Sequence, residues 1–214
     1  MKTVLCYGDS LSWGIVPGSR DRHPRGSRWA LVLGARLGPA VHVVEEHLNG
    51  RTTVRDDPLK PGRNGRRWLQ PALETHAPVD LLILFLGTND LQTVHGMGAH
   101  EAALGCGVLL DIARARVGDA QPHPPATLLI VPPRIRADVA GTYAKFSGAD
   151  AKSERFLAEY RTVAAERGVP LFDAGSVIEP SRVDGVHLDA AAHVALGEAL
   201  APVVAPLLGL APPR

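Results

Sequence analysis

The 214-residue chain reads as a doubly wound α/β sandwich, three layers built around a five-stranded parallel sheet. Two observations predict this. Apolar runs alternate with helix-spaced amphipathic runs along the whole length, and the apolar runs are nearly continuous in Val, Ile and Leu. Strands covered by helices on both faces have that composition, because neither face has to meet water. No internal repeat or low-complexity tract interrupts the alternation. At this length one domain, residues 1–214, is expected to bury a sizeable core.

In chain order, strands are expected at Thr3–Tyr7, Val41–Glu45, Val79–Leu86, Thr127–Val131 and Val169–Phe172. Helices are expected at Trp29–Leu37 (after Ser27), Gly65–His76, Ala99–Ala115, Ser153–Arg167 and Ala190–Leu208. Asp189 stands where an N-cap belongs for the last of these. Three stretches, Val16–Arg28, Arg55–Asn64 and Pro132–Asp150, are rich in Gly, Pro or charge and are expected to be long loops. Loops of that length can shape a pocket without disturbing the core.

Composition excludes several classes of function. Lys and Arg number 23 against 22 Asp and Glu, a formal net charge of +1, which gives no case for nucleic acid or an anionic membrane. Two arginine clusters, at Arg20, Arg22, Arg25, Arg28 and at Arg63, Arg66, Arg67, share their stretches with Pro and Gly and read as solvated loops. The two cysteines, Cys6 in the first strand and Cys106 in a helix, are expected to be buried free thiols. No Cys/His cluster has zinc spacing, so no metal is expected. The N-terminal apolar run is too short for a signal peptide, and no run approaches ~18 consecutive apolar residues. A cytoplasmic protein with no membrane span is the expectation.

The residues that carry chemistry sit at strand ends. Ser10, Gly50 and Asn89 follow the first three strands, and Asp184 and His187 lie beyond the fifth. In open α/β sheets ligands bind beyond the carboxyl ends of the strands, so residues distant in sequence converge on one edge. A serine hydroxyl is a poor nucleophile until a base takes its proton. His187 is the candidate base, and Asp184, three residues earlier, is placed to hold its tautomer and stabilise the imidazolium. Three donors are then available for a tetrahedral oxyanion: the Ser10 and Gly50 backbone N–H groups and the Asn89 side-chain amide. Gly8 and Asp9 are expected to shape the turn that presents Ser10. Leu11, Trp13 and Ile15 follow closely and are candidates to line an apolar substrate slot.

Gly8-Asp9-Ser10-Leu11, Asn49-Gly50, Gly87-Thr88-Asn89-Asp90 and Asp184-Gly185-Val186-His187, in that order, resemble the four blocks of the SGNH (GDSL) hydrolase family. The resemblance spans the chain from Lys2 to the final helix. Within the family, the stretches Cys6–Gly14, Asn49–Thr53 and Asp173–Ser176 look most like the bacterial arylesterase/acyltransferase subgroup. One departure is visible: His47-Leu48-Asn49 precedes Gly50, where the family often has more glycine and a serine. The resemblance implies a flavodoxin-like sheet, a serine esterase acting on small acyl esters with no cofactor or metal, acyl transfer to alcohols, and a homo-oligomer. No Gly-x-Ser-x-Gly occurs, so the nucleophile elbow of the larger α/β-hydrolases is absent. Two alternatives stay open on the sequence: a carbohydrate acetyl esterase and a non-catalytic, flavodoxin-like ligand-binding domain.

Overall fold

The computed structural model describes residues 1–115, 120–136, 138–139 and 144–212. Five strands form one all-parallel sheet: β1 (Lys2–Gly8), β2 (Val41–His47), β3 (Leu81–Phe85), β4 (Ala126–Val131) and β5 (Leu171–Asp173), in the order β2-β1-β3-β4-β5. The helices are α1 (Ser10–Trp13), α2 (Trp29–Leu37), α3 (Gly65–Thr75), α4 (Ala99–Arg114), α5 (Ala149–Ser153), α6 (Phe156–Arg167) and α7 (Ala190–Leu207).

Alternation along the strands builds two separate cores. Leu5 and Tyr7 of β1 face α3, α4 and α6, joining Leu69, Leu73, Cys106, Leu109, Phe156 and Tyr160. Val4 and Cys6, one residue out of phase, face α2 and α7, joining Trp29, Leu33, Leu196 and Leu200. β3 is buried at all five positions, which explains why its sequence shows no polar alternation. The three-layer, flavodoxin-like sandwich is therefore the observed fold.

Every expected strand and helix is found, and all but one have ends within two residues of those expected. The expected helix Ser153–Arg167 differs more. Its N-terminal part belongs to α5, and the chain breaks around Glu154–Arg155 before α6 begins. Asp189 is in the N-cap position of α7, but its side chain makes no capping hydrogen bond. The loop Val16–Arg28 carries a 3₁₀ turn at Arg25–Ser27 and a bridge between Ile15 and Arg22. Pro132–Asp150 carries a second such turn at Ala144–Phe146, and α5 begins at Ala149. Positions 137 and 140–143 of that expected loop, Tyr143 among them, lie outside the described residues.

α7 amends the membrane reading, since over 18 residues it is long and apolar enough by composition to cross a membrane. In this fold it packs against α2, with Leu196, Gly197, Leu200, Ala201, Val204 and Ala205 buried.

β2 is added on one side of β1 and β3, β4 and β5 on the other, so the strand order reverses between β1 and β3 while every strand stays parallel. That is the topological switch point where α/β sheets open a crevice.

Candidate active site

β1 runs straight into the site. Gly8 ends the strand, and a Cβ there would fall 2.4 Å from Ser12 Oγ, so the chain can turn this tightly only without a side chain. Asp9 then caps α1 by accepting from the Leu11 N–H at 2.9 Å. The first residue of that short helix is Ser10, at the floor of a cavity of about 530 Å³.

Ser10 Oγ lies 3.0 Å from His187 Nε2, and His187 Nδ1 lies 2.8 Å from Asp184 Oδ2. The other Asp184 oxygen accepts the backbone N–H groups of Val186 (3.0 Å) and His187 (2.9 Å), which fixes the carboxylate against the ring. Burial pushes the Asp184 carboxyl upward, but the hydrogen bonds from the His187 ring and the two N–H groups outweigh it and hold it at about 2. Asp184 is thus charged through the neutral range, and it favours the tautomer with hydrogen on Nδ1. Nε2 is then left as an acceptor towards Ser10. This line of three groups can deprotonate the serine hydroxyl.

The loop after β2 approaches from the other side. Arg51 N–H donates to Leu48 O at 3.0 Å, closing a turn in which Gly50 has φ of 80°. That left-handed conformation suits glycine at the second central position. The Ser10 and Gly50 N–H groups make no hydrogen bond among the described residues, and both residues line the cavity. Two unspent donors beside a nucleophile are what a developing oxyanion needs.

Asn89 lines the same cavity from the 3₁₀ turn Thr88–Leu91 after β3. Its amide is already busy. Nδ2 donates to Asp9 Oδ2 at 2.9 Å and to Arg51 O at 3.2 Å, while Oδ1 accepts from Gln92 Nε2 at 2.7 Å. An oxyanion would therefore share an Asn89 hydrogen with one of these acceptors, the longer bond to Arg51 O being the weaker competitor.

The three residues expected to form a slot separate. Ile15 lines the cavity. Leu11 does not: it is buried in the core between the sheet and α2/α7, because α1 turns it inward. Trp13 is half-buried outside the cavity, its ring 4.8 Å from the Arg22 guanidinium, which also donates to the Trp13 carbonyl. The apolar lining comes instead from Ile15, Leu59, Pro61 and Phe146, three of them on the loops expected to be pocket-forming.

Sequence reasoning missed the polar framework beneath the site. Arg51 is buried and donates to the carbonyls of Gly8 (3.0 Å) and Glu46, with its guanidinium 3.9 Å from the centre of the Tyr7 ring. Asp90 accepts from Thr53 Oγ1 at 2.5 Å and from Thr53 N–H at 3.0 Å. The loops after β1, β2 and β3 are thereby stapled to one another. Burial drives the Asp90 carboxyl up to about 7, against the Thr53 hydrogen bonds, and drives Asp9 up to about 6. The available signal was Arg51-Thr52-Thr53 and Asp90, polar residues directly beside two site blocks.

The family model of GDSL-like lipases/acylhydrolases matches residues 6–195. The native aryl esterase of M. smegmatis shares 37% identity over 97% of this chain and 100% of its own, with a TM-score of 0.92. A putative arylesterase from Agrobacterium tumefaciens shares 45% identity over the same proportions, with a TM-score of 0.89. A carbohydrate acetylesterase from Sinorhizobium meliloti shares 36%, again over 97% and 100%, with a TM-score of 0.91. No curated protein matches the chain. A serine–histidine–aspartate line at the switch point, with the family's blocks around it, makes this chain a member of the GDSL-like lipase/acylhydrolase family.

Proposed function

We propose that the protein is a carboxylic ester hydrolase that cleaves short-chain aryl and alkyl esters through an acyl-enzyme on Ser10. The observation that carries this reading is the hydrogen-bonded line Asp184–His187–Ser10 next to two unspent N–H donors. Ser10 Oγ attacks the ester carbonyl carbon as its proton passes to His187 Nε2. The carbonyl oxygen becomes an oxyanion held by the N–H groups of Ser10 and Gly50 and by Asn89. Collapse breaks the bond to the alcohol oxygen, which leaves with the proton from His187. Water then attacks the acyl-serine, again giving a proton to His187, and the acid departs with Ser10 restored. An alcohol in place of water gives acyl transfer.

The preference for short acyl groups rests on the cavity lining, whose apolar residues among those described are Ile15, Leu59, Pro61 and Phe146. A long alkyl chain would find little apolar surface there. The free, buried thiols Cys6 and Cys106 accord with a cytoplasmic setting. The homo-oligomer implied by the subgroup is checked by light scattering. A second reading, removal of acetyl groups from sugars, is favoured by the Sinorhizobium meliloti carbohydrate acetylesterase.

The test is turnover of 4-nitrophenyl esters from acetate to palmitate, with labelling by a fluorophosphonate as a readout of Ser10. Fastest turnover of acetate or butyrate and labelling lost in Ser10→Ala are expected. A protein inert to both substrate and probe would return the non-catalytic ligand-binding domain to first place. Faster acetate release from an acetylated sugar than from 4-nitrophenyl acetate would favour the sugar reading.

A further inference from the structure

Among the described residues, the cavity over Ser10 is lined by four cationic residues, Arg20, Lys60, Arg63 and Lys145, and by no Asp or Glu. The chain as a whole is almost neutral, so this is segregation of charge and not a basic protein showing its average surface. Several arginines elsewhere are paired: Arg36 with Glu198, Arg67 with Asp56, Arg134 with Glu154, Arg167 with Asp111. Arg20, Lys60 and Arg63 form no ion pair among the described residues.

Arg63 is the most informative of the four. Among the described residues its guanidinium makes a single, long hydrogen bond, to Pro61 O at 3.3 Å, and its Nε is shut off from solvent without an acceptor. That Nε would lie 3.7 Å from a Cβ placed on Gly50, so the guanidinium sits beside the turn that offers the Gly50 N–H. The nearby acid, Asp57, is engaged by the backbone N–H groups of Leu59 (2.8 Å) and Lys60 (3.0 Å), where it shapes the loop. Burial and then the charge of Lys60 pull the Lys145 ammonium below the usual lysine range, with Asp57 and Asp9 opposing. Like charges gathered at one mouth are a cost to the unliganded protein, and an anionic ligand relieves it.

We infer that the preferred ester carries a negatively charged group, a carboxylate or its equivalent, received by Arg63 with Arg20, Lys60 and Lys145 around it. The inference rests on the esterase reading above and names its substrate class. The charge can lie on the acyl side or on the alcohol side, and two substrate pairs separate these. On the alcohol side 4-acetoxybenzoate is compared with its methyl ester. On the acyl side mono-4-nitrophenyl adipate is compared with methyl 4-nitrophenyl adipate.

In at least one pair the anionic member is expected to have the higher kcat/KM, by roughly tenfold at low salt, the equivalent of one well-placed charge contact. The ratio should fall towards parity at about 1 M salt, where the screening length is only about 3 Å. It should also fall in Arg63→Gln and in the exposed double variant Arg20→Gln/Lys60→Gln, which are read as ratios between the paired substrates. A ratio at or below parity in both pairs, untouched by salt and by these variants, overturns the inference. Binding of adipate to the Ser10→Ala protein, measured by calorimetry, is independent of turnover. If no ester is hydrolysed but adipate binds and is weakened by Arg63→Gln, the esterase reading fails and the anion site stands. If neutral esters are turned over while the ratios stay flat and adipate does not bind, the reverse holds. Failure of both turnover and binding removes both.

Discussion

At the floor of the cavity, Ser10, Asn89, Asp184 and His187 are each less than a tenth exposed, and each side chain is fixed by hydrogen bonds shorter than 3.1 Å. At the rim, Arg20, Leu59, Lys60 and Pro61 are exposed, and they stand on loop stretches outside every helix and strand. The floor is anchored to the ends of β1, β2 and β3 and braced underneath by Arg51, Thr53 and Asp90. The rim hangs from it by a few backbone contacts, such as Thr52 N–H to Arg63 O at 2.9 Å. Chemistry needs groups held to within a fraction of an ångström, whereas choosing a substrate needs only charge and shape at the mouth. A change in the floor should therefore act on kcat for every ester, and a change in the rim on the ranking of esters.

The largest effect expected is that of Ser10→Ala, a loss of kcat of about 10⁴ or more, since the nucleophile cannot be replaced from the rim. Circular dichroism should show an intact fold. Wild-type turnover by the folded variant would dissolve the distinction between floor and rim. Asp184→Asn should come next, at about 10⁴. The amide oxygen can still accept from Val186 and His187, but the NH₂ would face Nδ1, so the proton moves to Nε2 and cannot be taken from Ser10 there. A rise in KM with kcat preserved would mean that Asp184 serves binding alone.

Asn89→Ala should cost about 10²–10³ in kcat, the usual result of losing one oxyanion donor. Because the amide also braces Asp9 and Arg51 O, a thermal-melt measurement must accompany the kinetics. An Asn89→Ala protein of unchanged kcat would assign the oxyanion to the two backbone donors alone. The smallest effect concerns stability.

Asp90 has its folded pKa raised to about 7 from 3.8, so its contribution is fully present below about pH 3.8 and is lost as pH rises through 7. Between those limits wild-type stability should carry a falling component of up to about 1.4 kcal/mol per pH unit. In Asp90→Asn, which keeps an acceptor for Thr53, that component should vanish. Parallel pH profiles of urea-unfolding stability for the two proteins would contradict the assignment. Asp184 has the opposite sign: its lowered pKa makes a contribution that is present above about 3.8 and lost as pH falls through about 2.

Much of the floor was legible in the sequence because it is written in local signals. Gly8-Asp9-Ser10 needs only a strand end and a capped turn, and Asp184 and His187 meet within one turn of chain. The slot was read from neighbours of Ser10 in sequence, and there proximity misled. A helix beginning at Ser10 sends Leu11 into the core and Trp13 to another face, and only Ile15, beyond the end of α1, comes back to the cavity. The framework was not legible either: Thr53 and Asp90 are 37 residues apart, and nothing in either local stretch announces the other.

The order and type of the elements, the two out-of-phase faces of each strand and the candidates for nucleophile, base and orienting acid were legible in the sequence alone, since period and spacing encode them. Which loops meet was decided by the tertiary structure. β5 lies at the far edge, three strand steps or about 14 Å from β1, and the segment after it must run back along the sheet edge to bring His187 to Ser10. It is held there by long-range contacts: Arg136 N–H to Gly185 O, His23 Nε2 with Leu188 O, and the burial of Ile178, Val186 and Leu188. The gathering of Arg20, Lys60, Arg63 and Lys145 around one cavity is of the same kind. In the composition their charges are offset by acids elsewhere in the chain, and only the path of three loops in space puts them on the same side of the molecule as Ser10.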